Sequence, residues 1–189
     1  MYLEFCNYNK SYVNDINSQV KEVFEAIDLG LKGVAIPLYL ANRMSEDLSH
    51  LDITVACPVD YPTGTGGKKV RLHETLSIAK TYVNTIDLVL NPLLVKEEKL
   101  LDLRKEIESH IRVCKDYNST LRVIIHHNLY PLDKSLSLAR IVEDAGGDTI
   151  IPSAGFHNDD IFDNLLTAKL IENKTSIKTS LEIQLTHYQ

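Results

Sequence analysis

From one end of this chain to the other, short apolar runs alternate with longer segments whose apolar residues recur at steps of three and four. No other feature constrains the fold as tightly. The short runs fall at 2–8, 33–37, 51–59, 85–91, 121–126, 148–153 and 176–181. Between them, Val13, Ile16, Val20, Val23, Phe24 and Ile27 share one helical face. So do Leu72, Leu76, Ala79 and Val83, then Leu100, Leu103, Ile107, Ile111 and Cys114. Leu136, Ala139 and Val142 follow the same spacing, as do Ile161, Leu165 and Ala168, and 40–51 is a shorter segment of this kind. Strand and helix in strict alternation predict a parallel sheet covered by helices.

The strands choose between an open doubly wound sheet and a barrel. Central strands of an open sheet are covered on both faces and should be apolar on both. Here one face is apolar and the other mixed. Ile86, Leu88 and Leu90 face one way, and Asp87, Val89 and Asn91 the other. Leu121, Val123 and Ile125 oppose Arg122, Ile124 and His126, and Ile177 and Leu181 oppose Ser176, Lys178 and Ser180. A barrel explains this, with apolar faces meeting the helix ring and mixed faces turned inward. The expected fold is one α/β domain over 1–189, a TIM-type (β/α) barrel of about seven strands. The inward set is Glu4, Asp60, Asp87, Asn91, Arg122, His126, Ser153 and Lys178. So many polar inward positions point to a pocket, because each buried charge is costly unless partnered.

Several function classes drop out. At 44% hydrophobic and 24% charged, the 189 residues can bury a core, and no apolar run approaches a membrane span. A net charge of −6 argues against nucleic-acid binding. The Met1-Tyr2-Leu3-Glu4 start lacks the basic region of a secretory signal, and three scattered cysteines, Cys6, Cys57 and Cys114, suit a cytoplasmic protein without disulfides. Neighbouring His126 and His127 point to opposite faces of a strand, so no metal is expected, and no cofactor. His157 reads as a loop residue. The 64–69 run GTGGKK lacks the spacing of a phosphate loop and reads as a flexible strand-to-helix connection.

Specific runs carry a family resemblance. VACPVDYPTG at 55–64 resembles the strand and "FPxG" turn of the deoxyribose-phosphate aldolases, and VRLHE at 70–74 their "VKxxE" helix start. TIDLVLN at 85–91 resembles "EIDMVIN", LRVII at 121–125 "LKVIL", GGDTIIPSAGF at 146–156 "GADFVKTSTGF", and SIKTS at 176–180 part of "GVKASGG". Leu3-Glu4-Phe5 sits where that family has its first strand. The order and spacing hold over nearly the whole chain.

The resemblance implies a barrel and class I aldol chemistry, in which one lysine forms a Schiff base with a sugar carbonyl. A second lysine lowers its pKa and an aspartate shuttles protons. The aspartate corresponds to Asp87 and the second lysine to Lys178, so these are the candidate catalytic residues. The Schiff-base lysine corresponds to Ile151, which cannot form an imine. The glycines that help hold phosphate correspond to Leu181 and Glu182, and Glu182 would repel a phosphate. Arg122 stands at a lysine, His126 at a glutamate and Pro152 at a threonine. The chain ends at Gln189, before the family's eighth strand. An incomplete barrel would expose two sheet edges, which predicts a homo-oligomer or a protein partner. Three functions remain open. One is a lyase acting through Lys178 and Asp87 on a sugar phosphate or aldehyde. Another is an acid–base enzyme using Asp87, His126 and Lys178. The third is a non-catalytic binding or regulatory barrel.

Overall fold

The computed structural model describes residues 2–8, 15–156 and 160–183, so His157 lies outside the described residues. Seven parallel strands form the sheet: Tyr2–Cys6 (β1), Gly33–Ala35 (β2), Thr54–Val59 (β3), Thr85–Val89 (β4), Thr120–Ile124 (β5), Thr149–Ile151 (β6) and Lys178–Ile183 (β7). Each pairs with its sequence neighbours, and the sheet is closed. The closure corrects one expectation. β7 lies against β1, with Leu3 opposite Leu181 and Phe5 opposite Ile183, so the seven strands leave no open edge. The edge argument for assembly therefore falls away.

The helices are Ile16–Asp28 (α1), Leu38–Arg43 (α2), Ser45–Leu48 (α3), Lys68–Ala79 (α4), Pro92–Lys96 (α5), Leu100–Asp116 (α6), Leu132–Asp144 (α7) and Ile161–Lys174 (α8). Their starts follow from local chemistry. Asp15 and Asp160 turn their carboxylates onto the first free N–H groups of α1 and α8. The single helix expected over 40–51 is two short ones, broken at Met44, whose backbone leaves the helical region. The short α5 was not expected. Asn91 accepts from Leu93 N–H and Leu94 N–H, and Pro92 supplies a preset φ at the first turn.

Apolar side chains form two separate clusters. The larger, including Phe5, Val34, Val55, Ile86, Leu88, Leu90, Val123, Ile125 and Ile150, lies between the sheet and the helix ring. The smaller fills the barrel axis with Cys6, Tyr8, Ala35, Ala56, Val89, Ile124, Ile151 and Ala154. Alternation along each strand separates the two. No helix among the described residues is long and apolar enough to cross a membrane.

Candidate functional site

Inside the barrel, the residues between the apolar ones form one ionic network. Arg122 on β5 donates from Nε to Asp87 Oδ1 at 2.6 Å and from Nη2 to Asp87 Oδ2 at 2.7 Å, a bidentate pair. Its Nη1 donates to Glu4 on β1. Gly33 makes this possible, because a Cβ there would collide with the Glu4 carboxyl. Tyr8 reaches back from beyond β1 and donates its hydroxyl to Asp87 Oδ2 at 2.6 Å. Ser180 lies 3.5 Å from Arg122 Nη1, and Glu182 Oε1 lies 3.8 Å from Nη2. Asp87 is fully buried, and Arg122, Glu4 and Glu182 nearly so.

One guanidinium thus faces three carboxyl groups, and the electrostatics follow from that count. Burial opposes the charge on Arg122, but Asp87, Glu4 and Glu182 outweigh it and push its pKa up. Burial, then the charge of Asp87, raises the Glu182 carboxyl well above the usual carboxylate range. The shift favours the protonated form of Glu182, which lies beside the Arg122–Asp87 pair. Burial and Asp87 likewise keep the Tyr8 phenol neutral, and burial raises the Cys6 thiol.

A second buried network lies outside the barrel, between α4 and α6. Arg71, 1% exposed, sits 3.1 Å from Asp60 and donates to Glu106 Oε1 at 2.9 Å and to the Val89 carbonyl. Thr75 Oγ1 pairs with His110 Nδ1 at 2.7 Å. Burial, helped by Arg71 and Lys68, lowers the His110 pKa to about 3. Asp60 adopts a left-handed backbone, φ 56°, and accepts from Gly66 N–H at 2.7 Å. The 60–67 loop is thereby pinned over the barrel mouth. At Gly64, φ 65°, a Cβ would come within 2.6 Å of the Leu90 carbonyl.

At the C-terminal ends of β3 to β6 the loops enclose a pocket of about 250 Å³. Pro62, Thr63 and Thr65 line it from one side, Leu90 and Pro92 from another, and Ile125, His126, Leu129, Tyr130 and Phe156 complete it. His126, φ 47°, is buried, and its Nε2 lies 3.0 Å from the Pro62 carbonyl, so this nitrogen carries the proton. Its ring centroid is 5.7 Å from that of Phe156.

The residues expected to face inward therefore divide. Glu4, Asp87 and Arg122 meet in the barrel network. Ser153 is buried, and its Oγ has no hydrogen-bond partner. Asp60 turns instead to Arg71, because the left-handed residue ending β3 redirects its side chain, and Asn91 turns to cap α5. His126 belongs to the mouth pocket. Lys178 is the main correction. It shares a strand face with Ser180 and Glu182, but it is the first residue of β7, opposite Thr149, and is exposed. The inward, buried placement expected of it is not found.

Sequence reading missed Tyr8, which continues the alternation of Glu4 and Cys6; it placed Ser180 on the inward face without giving it a role and read Glu182 only as repelling a phosphate, whereas both sit beside Arg122. It also missed Arg71, Glu106 and His110, polar residues on otherwise apolar helix faces. Among the described residues no group of three His, Cys, Asp or Glu side chains is placed to hold a metal ion. His127 faces α8, with Nε2 2.8 Å from Asn164 Oδ1.

No family model matches the chain. It is 26% identical over 171 residues to a deoxyribose-phosphate aldolase of Caldicellulosiruptor saccharolyticus, covering 88% of this chain and 78% of that one. It is 25% identical over 139 residues to one of Clostridium tetani, covering 73% and 64%. The chain thus spans between three fifths and four fifths of the length of such relatives. A solved aldolase superposes with a TM-score of 0.79 at 19% identity, covering 95% of this chain and 77% of that one. A deoxyribose phosphate aldolase from Aeropyrum pernix, described as a unique tetramer, superposes with a TM-score of 0.77 at 17% identity, covering 94% and 73%. Those structures share the barrel fold, and the relatives named deoxyribose-phosphate aldolase are similar in sequence over most of this chain: the chain resembles the deoxyribose-phosphate aldolases.

Proposed function

We propose that this chain is an aldolase-like barrel that binds a small molecule without forming an imine on it. The supporting observation is the lining at Ile151, the position that the resemblance assigns to the Schiff-base lysine. Ile151 is fully buried and clusters with Cys6, Ala35, Ala56, Val89 and Ile124. Imine formation needs an uncharged amine at the substrate carbonyl. Among the described residues no lysine is buried, and Lys178 lies exposed at the opposite end of its strand from the mouth. Asp87, the shuttle of the resemblance, is held by both Arg122 and Tyr8. Both of its oxygens are engaged by these partners, which leaves neither turned to a substrate. The interior then serves as an ionic core, and binding falls to the mouth.

Borohydride reduction in the presence of 2-deoxyribose 5-phosphate, read by intact mass, tests this. The expected result is no added mass. An adduct that disappears in Lys178→Ala would overturn the reading and restore the Lys178–Asp87 lyase. Homo-oligomerisation rests on the tetrameric relative alone, and light scattering checks it.

A further inference from the structure

We propose that the pocket at the C-terminal mouth is a binding site for a small uncharged aromatic molecule carrying one hydrogen-bonding group. This rests on the reading of the chain as a binding barrel, and names the place and the ligand chemistry. The pocket is distinct from the barrel axis. Leu90 and Ile125, two of its walls, belong to the outer apolar cluster, whereas Asp87, Arg122 and Ile151 face the axis.

Size sets the first limit. About 250 Å³ is the space of roughly eight waters, below the usual range for drug-sized ligands and enough for one substituted ring. Charge sets the second. No Lys, Arg, Asp or Glu lines the pocket, so an ion entering it would lose water without gaining a partner. A sugar phosphate finds no cation there. Burial raises the pKa of Tyr130, which leaves its hydroxyl as a neutral donor or acceptor. Thr63 and Thr65, whose hydroxyls lie 3.0 Å apart, offer a second polar point.

Shape sets the third. Pro62 and Pro92 supply apolar walls, and Phe156 and His126 an aromatic corner. Aromatic ligands pack edge to face or offset against such walls. The pocket is also held in shape. His126 takes a left-handed backbone, a strained conformation that persists only where its surroundings fix it. The opposite wall hangs from Asp60, which Arg71 secures. Two left-handed residues flanking one pocket are the kind of local strain that collects at binding sites.

The test is a phenol titration of the intact chain followed by amide chemical shifts. The expected result is saturable shifts at Thr65, Leu129 and Tyr130, with a Kd of about 1 mM, reasonable for a ligand of so few atoms. Leu129→Trp, which fills the pocket from a partly exposed position, should weaken binding at least about tenfold. Thr65→Trp, on an exposed loop, gives the same blockade should Leu129→Trp not fold. Benzoate, the same ring with a charge, should give no saturable shifts. Absence of phenol binding at about 10 mM would overturn the proposal. So would equal binding of benzoate, or binding unchanged in both tryptophan variants. These outcomes are independent of borohydride trapping, so failure of the pocket and failure of the no-imine reading can be told apart.

Discussion

Two guanidinium groups are buried among the described residues, and they are satisfied in different ways. Arg122 lies inside the barrel, surrounded by Asp87, Glu4, Glu182, Ser180 and, through Asp87, Tyr8. Arg71 lies outside it between α4 and α6, held by Glu106, a carbonyl and the partly exposed Asp60. The first network is closed to water, and its surplus of acid over base pushes the Glu182 carboxyl towards its protonated form. The second opens to solvent at Asp60, so its surplus can be hydrated. The same residue types therefore do different things. The inner network ties β1, β4, β5 and β7 together across the barrel. The outer one fixes the mouth loop to the helix ring.

The sharpest way to break this comparison is to remove each cation. Arg122→Leu leaves buried carboxylates with no counter-charge and should cost about 4 kcal/mol or prevent folding, in line with other broken buried pairs. Arg71→Leu should cost about 2 kcal/mol, because Asp60 can take up water in its place. Urea unfolding measures both. Equal costs would mean that solvent access at Asp60 is irrelevant. Hydrogen exchange should add a second difference, with protection lost at 61–67 in Arg71→Leu.

How much of this was legible beforehand divides along the same line. The axis could be read from strand parity alone. Glu4, Asp87 and Arg122 sit at alternate positions opposite apolar neighbours, and period two assigns faces without knowing any loop. Parity does not give height along a strand. It put Lys178 on the correct face of β7 but said nothing of its lying at the exposed N-terminal end. Nor does it reach past a strand's last residue. Asp60 and His126 leave the strand geometry through left-handed backbones, and Asn91 becomes a helix cap, so all three depart from the face that alternation gave them. Arg71 was hidden for another reason. Its partners come from the end of β3, from β4 and from α6, and only the folded chain brings those together.

Titration sharpens the contrast with a smaller effect. The folded pKa of Glu182 is raised above its unfolded value, so its favourable contribution is complete below about pH 4.3 and is lost as pH rises through the folded value. Glu182→Gln should be more stable than the parent at pH 7, with the gain shrinking to nothing near pH 4. His110 runs the other way. Its folded pKa is lowered from 6.5 to about 3, so its contribution is present above about pH 6.5 and is lost as pH falls towards 3. His110→Gln should flatten that acid-side loss by one proton's worth of slope. Difference profiles of stability against pH that slope the same way for both variants would show that the two sites are not electrostatically distinct.

The smallest expected effect concerns Lys178, and it is informative because it is small. A lysine working in a dry barrel would be held by neighbours, and its removal would leave Asp87 or Glu182 with altered protonation. Lys178 in this structure is exposed at the start of β7, and the Ser180 and Glu182 positions on its strand face supply the inward contacts instead. Lys178→Ala should therefore change stability by no more than about 0.5 kcal/mol, as exposed substitutions usually do. It should also leave the pH profile that Glu182 governs in place. Ser180→Ala, one step further into the barrel, removes a hydroxyl beside Arg122 and should cost about 1 kcal/mol. If Lys178→Ala proved the costlier of the two, or shifted the pH dependence assigned to Glu182, then the lysine would reach the axis, and the division between an ionic barrel core and a binding mouth would have to be redrawn.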